Sequence, residues 1–228
     1  MRMLLTSAGL ANDHLEGALA DLLGKPYAEV KVAAVLTASL GQPGEHGWLV
    51  DSLVELRDLG WSALDLLDLN GPPRDLVAER LRGADVLWVT GGNQFHLAMS
   101  IVRNGFADLF RELLEEKVYV GTSAGSMIFS KRFDERVADL LGDLPDLRLL
   151  GADTIEPPFG LFEWYIKPHL NAPYFPQRDG AWADRLAAQA DFPLYLLDDG
   201  SAVRVRDDEV DVVSATGGWR LVGPQPSR

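Results

Sequence analysis

The chain contains no cysteine. That excludes disulfides, cysteine-ligated zinc, iron–sulfur clusters and a cysteine nucleophile. Histidine is scarce, so a mechanism that needs an imidazole has only four to draw on: His14, His46, His96 and His169. Positive charge is also short. The balance of 21 Lys and Arg against 34 Asp and Glu gives −13, and such a chain repels polyanions, so neither nucleic acid nor an anionic membrane surface is an expected partner. The acidic residues are spread along the chain, as a solubility property and not as a tail. No run approaches the roughly 20 apolar residues of a membrane span, and the N-terminal apolar stretch is too short for a secretion signal. A cytoplasmic protein is the expectation. Internal repeats and low-complexity tracts are absent from the sequence.

At 228 residues the chain is long enough to bury roughly 70–75% of its unfolded surface without covalent staples. Short aliphatic runs alternate with helical spacing. Strands are expected at Met3–Ser7, Val30–Thr37, Ser62–Leu66, Asp85–Thr90 and Lys117–Gly121. Helices are expected at Gly47–Leu59, Arg74–Leu81, Phe95–Val102 and Phe106–Glu116, with another after Gly125. This order predicts an α/β fold: a mostly parallel sheet with helices on both faces. Leu194–Leu197, Ser201–Arg206 and Val210–Ser214 are separated by Asp-rich turn signals and read as a mixed or antiparallel extension of the same sheet. With no linker-like stretch between the halves, one domain is expected over residues 1–222, followed by a tail at 223–228. Trp48, Trp61 and Trp164 are assigned by default to the core.

Gly121-Thr122-Ser123-Ala124-Gly125 fits a G-x-S-x-G elbow. A nucleophile on a sharp strand-to-helix turn needs glycines beside it so that neighbouring chain can approach. The N–H of Ala124 is then one oxyanion donor. The same pentapeptide also serves as a plain tight turn or an anion nest; the apolar strand before it favours the catalytic reading. Gly91-Gly92-Asn93 closes the neighbouring strand. Its bare glycine N–H groups suit the second oxyanion donor, at Gly92, and Asn93 suits a helix N-cap or a contact to substrate.

A serine nucleophile needs a base. Among the four histidines, His169 has the best placement, at the end of a strand-like run, Ile166-Lys167-Pro168. An order Ser–acid–His leaves Asp134, Asp139, Asp143, Asp146 or Asp153 as the acid; an order Ser–His–acid points to Asp198-Asp199-Gly200. The Asp-Gly step is also a routine hairpin turn. Triad order differs between folds while the chemistry stays the same.

Taken together, Val89-Thr90-Gly91-Gly92-Asn93-Gln94-Phe95, Gly121-Thr122-Ser123-Ala124-Gly125-Ser126, Lys167-Pro168-His169-Leu170-Asn171 and Leu197-Asp198-Asp199-Gly200-Ser201-Ala202 resemble the serine peptidase family that contains peptidase E (aspartyl dipeptidase) and, more distantly, cyanophycinase. The resemblance implies a fold similar to class I glutamine amidotransferases, with serine at the elbow where those enzymes carry cysteine. It implies amide hydrolysis through an acyl-enzyme, with Ser123 as nucleophile, His169 as base, Asp199 as orienting acid (Asp198 the alternate), and Gly92 and Ala124 as the oxyanion hole. No metal and no cofactor are implied. The implied partner is a small peptide, including Asp-X dipeptides, and a homodimer is compatible with the pattern. A cyanophycinase-like hydrolase, another small-amide or ester hydrolase, and a non-catalytic binding protein are the alternatives on this scaffold. The sequence departs from the family in two places. Aspartate stands before the late glycine where peptidase E usually has glutamate. The arginine-bearing segment after the histidine, associated with an acidic side chain of the substrate, aligns with Ala181-Trp182-Ala183, leaving Arg178 and Arg185 nearby; Arg178 is taken as the candidate substrate contact.

Overall fold

A computed structural model describes residues 1–225, so part of the expected tail at 223–228 lies outside the described residues. The first half follows the alternation read from the sequence. In chain order it runs β1 (Arg2–Thr6), α1 (Asp13–Leu23), β2 (Lys31–Val35), α2 (Thr37–Leu40), α3 (Gly47–Asp58), β3 (Ala63–Leu67), α4 (Arg74–Gly83), β4 (Val86–Val89), α5 (Gln94–Arg103), α6 (Ala107–Glu116) and β5 (Val118–Thr122). After β5 come α7 (Ala124–Met127), α8 (Glu135–Leu141), α9 (Leu144–Leu149), β6 (Tyr165–Lys167), α10 (Gly180–Gln189), β7 (Leu194–Leu196), β8 (Ser201–Arg206), β9 (Glu209–Ser214) and β10 (Arg220–Val222).

The main sheet has the order β3-β2-β4-β5-β1-β8-β9. Its first five strands are parallel; β8 runs antiparallel to β1, and β9 antiparallel to β8. Because side chains alternate along a strand, the central strands feed two cores. Met3, Leu5, Ala33, Val35, Leu87, Val89 and Tyr119 face the layer of α4 to α7. Leu4, Val32, Ala34, Val86, Trp88, Val118 and Val120 pack on α1 and on Leu56 of α3. Both faces being covered explains the continuous aliphatic runs.

The C-terminal third differs from the expectation in one respect. β8 and β9 do extend the main sheet, but β7 does not. It lies in a second, three-stranded sheet of order β10-β7-β6, parallel to β6 and antiparallel to β10. The free edge of β1 accepts a single strand, which is β8; β7 instead buries Leu194 and Leu196 against Tyr165 and Ile166. The sequence reading also passed over α1, although Asn12 caps its first turn and Gly24 closes it in the left-handed conformation, and over α8 to α10. The helix expected after the elbow is a single turn. Of the three tryptophans assigned to the core, Trp164 is buried and Trp61 half-buried, whereas Trp48 is 39% exposed.

Candidate active site

The parallel pairings place four chain ends together. β5 lies beside β1, so Ser123 and Ser7 follow adjacent C-terminal ends. β6 lies beside β7, so His169 and Asp199 follow the adjacent ends of the small sheet. The crevice beyond strand C-termini is where α/β sheets place their ligands.

Ser123 sits directly between β5 and α7 with φ 49° and ψ −109°, a conformation that L-residues rarely hold and that neighbouring structure must enforce. Its N–H donates to Thr6 O at 3.1 Å, and the Ser126 hydroxyl donates to the same carbonyl at 2.8 Å. The elbow glycines admit no side chain: a Cβ on Gly125 would stand 2.3 Å from Val89 O, and one on Gly121 would stand 2.7 Å from the Gly125 carbonyl. Gly92 is equally constrained, with φ +127° and Ala38 O at 2.3 Å from any Cβ. Gly91 brings this loop against the Ser123 Cβ. Neither the Gly92 nor the Ala124 N–H is used by another group among the described residues.

Three side chains form a continuous row. His169 Nε2 lies 2.9 Å from Ser123 Oγ, and His169 Nδ1 lies 2.7 Å from Asp199 Oδ1. Ser7 Oγ donates to Asp199 Oδ1 at 3.0 Å and accepts from the backbone N–H of His169 at 2.9 Å. His169 itself has φ 68°, so its backbone is held in place by its surroundings. The Tyr174 hydroxyl donates to Asp199 Oδ2 and lies 3.0 Å from His169 Nδ1. The Phe175 ring stacks on the imidazole at 5.2 Å, and the Arg178 guanidinium stacks on Phe175 at 3.9 Å.

Burial sets the protonation of this row. It holds His169 below the ordinary imidazole value, against the attraction of Asp199. Burial raises Asp199, but the hydrogen bonds from His169, Tyr174 and Ser7 prevail and leave it below the ordinary carboxylate value. Tyr174 is pushed up, by burial and by its bond to Asp199. The row therefore holds a neutral imidazole between a hydroxyl and a carboxylate.

The row opens on a cavity of about 910 Å³. Its apolar lining includes Leu10, Trp48, Leu53 and Trp88. Its charged lining has the cations Lys167 and Arg178 and the acids Glu16, Glu55, Asp58, Asp143 and Asp146. Lys167 and Asp143 form an ion pair inside the protein, their side chains 2% and 3% exposed. Arg178 donates to Pro168 O at 3.2 Å and lies 4.0 Å from Asp143 Oδ1. Burial and the neighbouring Asp143 raise Asp146. Among the described residues, three buried side-chain atoms have no hydrogen-bond partner: Gln94 Nε2, Thr122 Oγ1 and Asp143 Oδ2. All three residues line this cavity.

The expected residues fall into two groups. Ser123, His169 and Asp199 meet, Gly92 flanks them, and Arg178 lines the same cavity. Asn93 is not among the residues that line the cavity. Its Oδ1 accepts from Phe95 N and His96 N at 2.9 Å each, its Nδ2 donates to Asp146 O at 3.0 Å, and it is buried beneath the site. It is the N-cap of α5, which corrects its expected place at substrate. Asp198 turns away from His169 to accept from Ser201 and Thr216. The other three histidines lie outside the row: His14 is exposed, His46 Nε2 lies 3.1 Å from Ser39 O, and His96 faces Asn70. The sequence reading missed Ser7, Tyr174 and Phe175. Only Ser7 carried a signal, as the polar residue that ends the aliphatic run of β1.

The sequence model of Peptidase family S51 matches residues 3–213. The chain belongs to this peptidase family. An uncharacterized peptidase of Pasteurella multocida (strain Pm70) is 29% identical over 147 residues, which are 64% of this chain and 67% of that one. An uncharacterized peptidase of Listeria innocua is 29% identical over 164 residues, 71% of this chain and 74% of that one. Among solved structures, a protein of Listeria monocytogenes EGD-e provisionally assigned as a peptidase E has a TM-score of 0.73 at 20% identity, covering 94% of this chain and 98% of that one. A peptidase from an acI-B1 actinobacterium has a TM-score of 0.60 at 18% identity, covering 98% and 87%. The structural likenesses show that this chain shares the fold of those two proteins. No helix among the described residues is long and apolar enough to cross a membrane.

Proposed function

We propose that this S51 protein is a serine peptidase that hydrolyses dipeptides or other small peptides through an acyl-enzyme. The observation that carries the reading is the hydrogen-bonded row Ser123–His169–Asp199 at the wall of a peptide-sized cavity. Ser123 Oγ attacks the carbonyl carbon while its proton passes to His169 Nε2. The carbonyl oxygen, now negative, receives the Gly92 and Ala124 N–H groups. His169 returns the proton to the leaving nitrogen, the C–N bond breaks and an ester on Ser123 remains. Water then attacks that ester with His169 again taking the proton, and the acid product leaves with Ser123 restored. Asp199 holds the Nδ1–H tautomer and stabilises the imidazolium as it forms.

The charged lining of the cavity frames the substrate class. Lys167 and Asp143 pair with each other, which leaves Arg178 and the acids Glu16, Glu55, Asp58 and Asp146 in the lining, a set that suits a short peptide bringing both a carboxylate and an ammonium. Arg178 is the cation that meets a substrate carboxylate, which keeps Asp-X dipeptides among the candidates.

A dipeptide library with Asp-X, Leu-X and Lys-X members, run beside Ser123→Ala, tests the reading. Hydrolysis by the natural protein and none by the variant, with unchanged thermal unfolding, is expected. Equal activity in the variant overturns the assignment. Native labelling of Ser123 by a fluorophosphonate separates an enzyme from a binding protein on the same scaffold.

A further inference from the structure

His169 does not stand only on its acid. Residues Asn171 to Arg178 form a loop closed by the Asn171 N–H donating to Arg178 O at 2.8 Å. Asn171 enters it at φ 59°. From this loop Phe175 stacks on the imidazole, and Tyr174 reaches over to the acid. Tyr174 is 59% exposed overall, so its body contributes little to the core, yet its hydroxyl is committed to the carboxylate that orients the base. Asp199 thereby has both oxygens bound: Oδ1 by His169 and Ser7, Oδ2 by Tyr174.

We propose that Tyr174 is a positioning residue of the active site, whose hydroxyl locks the rotation of the Asp199 carboxylate and moderates the charge it presents to His169. The proposal rests on the reading of Ser123 and His169 as nucleophile and base. A carboxylate held at one oxygen is free to swing about its last bond; a donor on the second oxygen fixes the plane in which Oδ1 meets Nδ1–H. A phenol on Oδ2 also draws charge from the carboxylate, so less remains to favour the imidazolium. Burial and Asp199 push Tyr174 up from its ordinary value, so it stays a donor throughout the working pH range. The other charges facing the imidazole are Lys167 from β6 and Arg178 from the loop, and these are themselves opposed by Asp143 and Asp146.

The test compares Tyr174→Phe, Tyr174→Ala and the natural protein in two readouts. The first is the rate of fluorophosphonate labelling at Ser123 against pH, in which the Oγ–P bond forms, fluoride leaves and the proton passes to His169. The second is an NMR titration of the His169 ring, which needs no turnover. Losing a charge-assisted hydrogen bond partly replaced by water predicts a fall of about tenfold in the limiting rate. Both midpoints are expected to move to higher pH in Tyr174→Phe. Tyr174→Ala is expected to add little, because the hydroxyl and not the ring carries the effect. A natural rate and an unmoved midpoint in Tyr174→Phe overturn the proposal, including when Tyr174→Ala is impaired. If the natural protein is neither labelled nor active on peptides, the catalytic reading fails instead, and the two failures are told apart by that control.

Discussion

His169 Nε2 and Ser123 Oγ stand 2.9 Å apart across a sequence separation of 46 residues, on ends of two different sheets. Burial holds the imidazole below its ordinary value of 6.5. A base must be neutral to accept a proton, so the acid limb of kcat/KM is expected to have its midpoint below pH 6.5. The same shift links to stability. The unfolded chain takes up this proton first as pH falls, so the contribution of His169 is intact above 6.5 and is lost between 6.5 and the lower folded value. A pH–rate profile and urea melts across pH 5 to 8 check both signs.

Asp199 and Asp198 are adjacent but serve different parts of the molecule. Asp199→Asn is expected to lower kcat by about 10³–10⁴, the scale of losing the orienting acid of a triad. Asp198→Ala removes the acceptor for Ser201 and Thr216 and is expected to reduce stability by about 1 kcal/mol while Ser123 remains reactive. Steady-state kinetics on both variants, with thermal melts, distinguish them. A crippled Asp198→Ala beside an unaffected Asp199→Asn reverses the assignment.

Lys167 and Asp143 are paired in the interior with almost no solvent contact. Lys167→Met leaves a buried carboxylate without its main counter-charge and is expected to destabilise by about 3–5 kcal/mol. The double variant Lys167→Met/Asp143→Leu removes both charges and is expected to recover most of that loss. Denaturant unfolding of the three proteins measures it. A single variant as stable as the natural protein rejects the account.

Gly92 has no room for a side chain, because a Cβ would meet the Ala38 carbonyl and the backbone is left-handed. Gly92→Ala is expected to displace the loop that carries one proposed oxyanion donor, lowering kcat by about 10²–10³. A matched drop in Ser123 labelling checks that the loss is at the acylation step.

Much of this architecture was legible in the chain itself. Aliphatic runs at Met3–Leu5, Val32–Val35, Val86–Val89 and Val118–Val120 announce strands buried on both faces. The elbow was legible because its glycines answer a local steric demand that no other residue meets. Asn93 carried two readings because a capping amide and a ligand-binding amide have the same sequence signature; only the packing of α9 on α5 shows its Nδ2 already in use. Ser7 and Tyr174 were missed because their roles depend on neighbours more than 20 residues away.

By itself, the sequence determined that the nucleophile is not a thiol and that one of four histidines must be the base of any triad. It also placed glycines on both sides of Ser123, which a turn this tight requires. The tertiary structure decided which acid faces His169. Both follow β7 in sequence, but Asp199 bonds His169, Ser7 and Tyr174, whereas Asp198 accepts from Ser201 and Thr216. It also decided where positive charge meets the acidic wall of the cavity. Lys167 and Arg178, distant in sequence from Asp143 and Asp146, are brought against them there, where low dielectric favours opposite charges meeting in pairs.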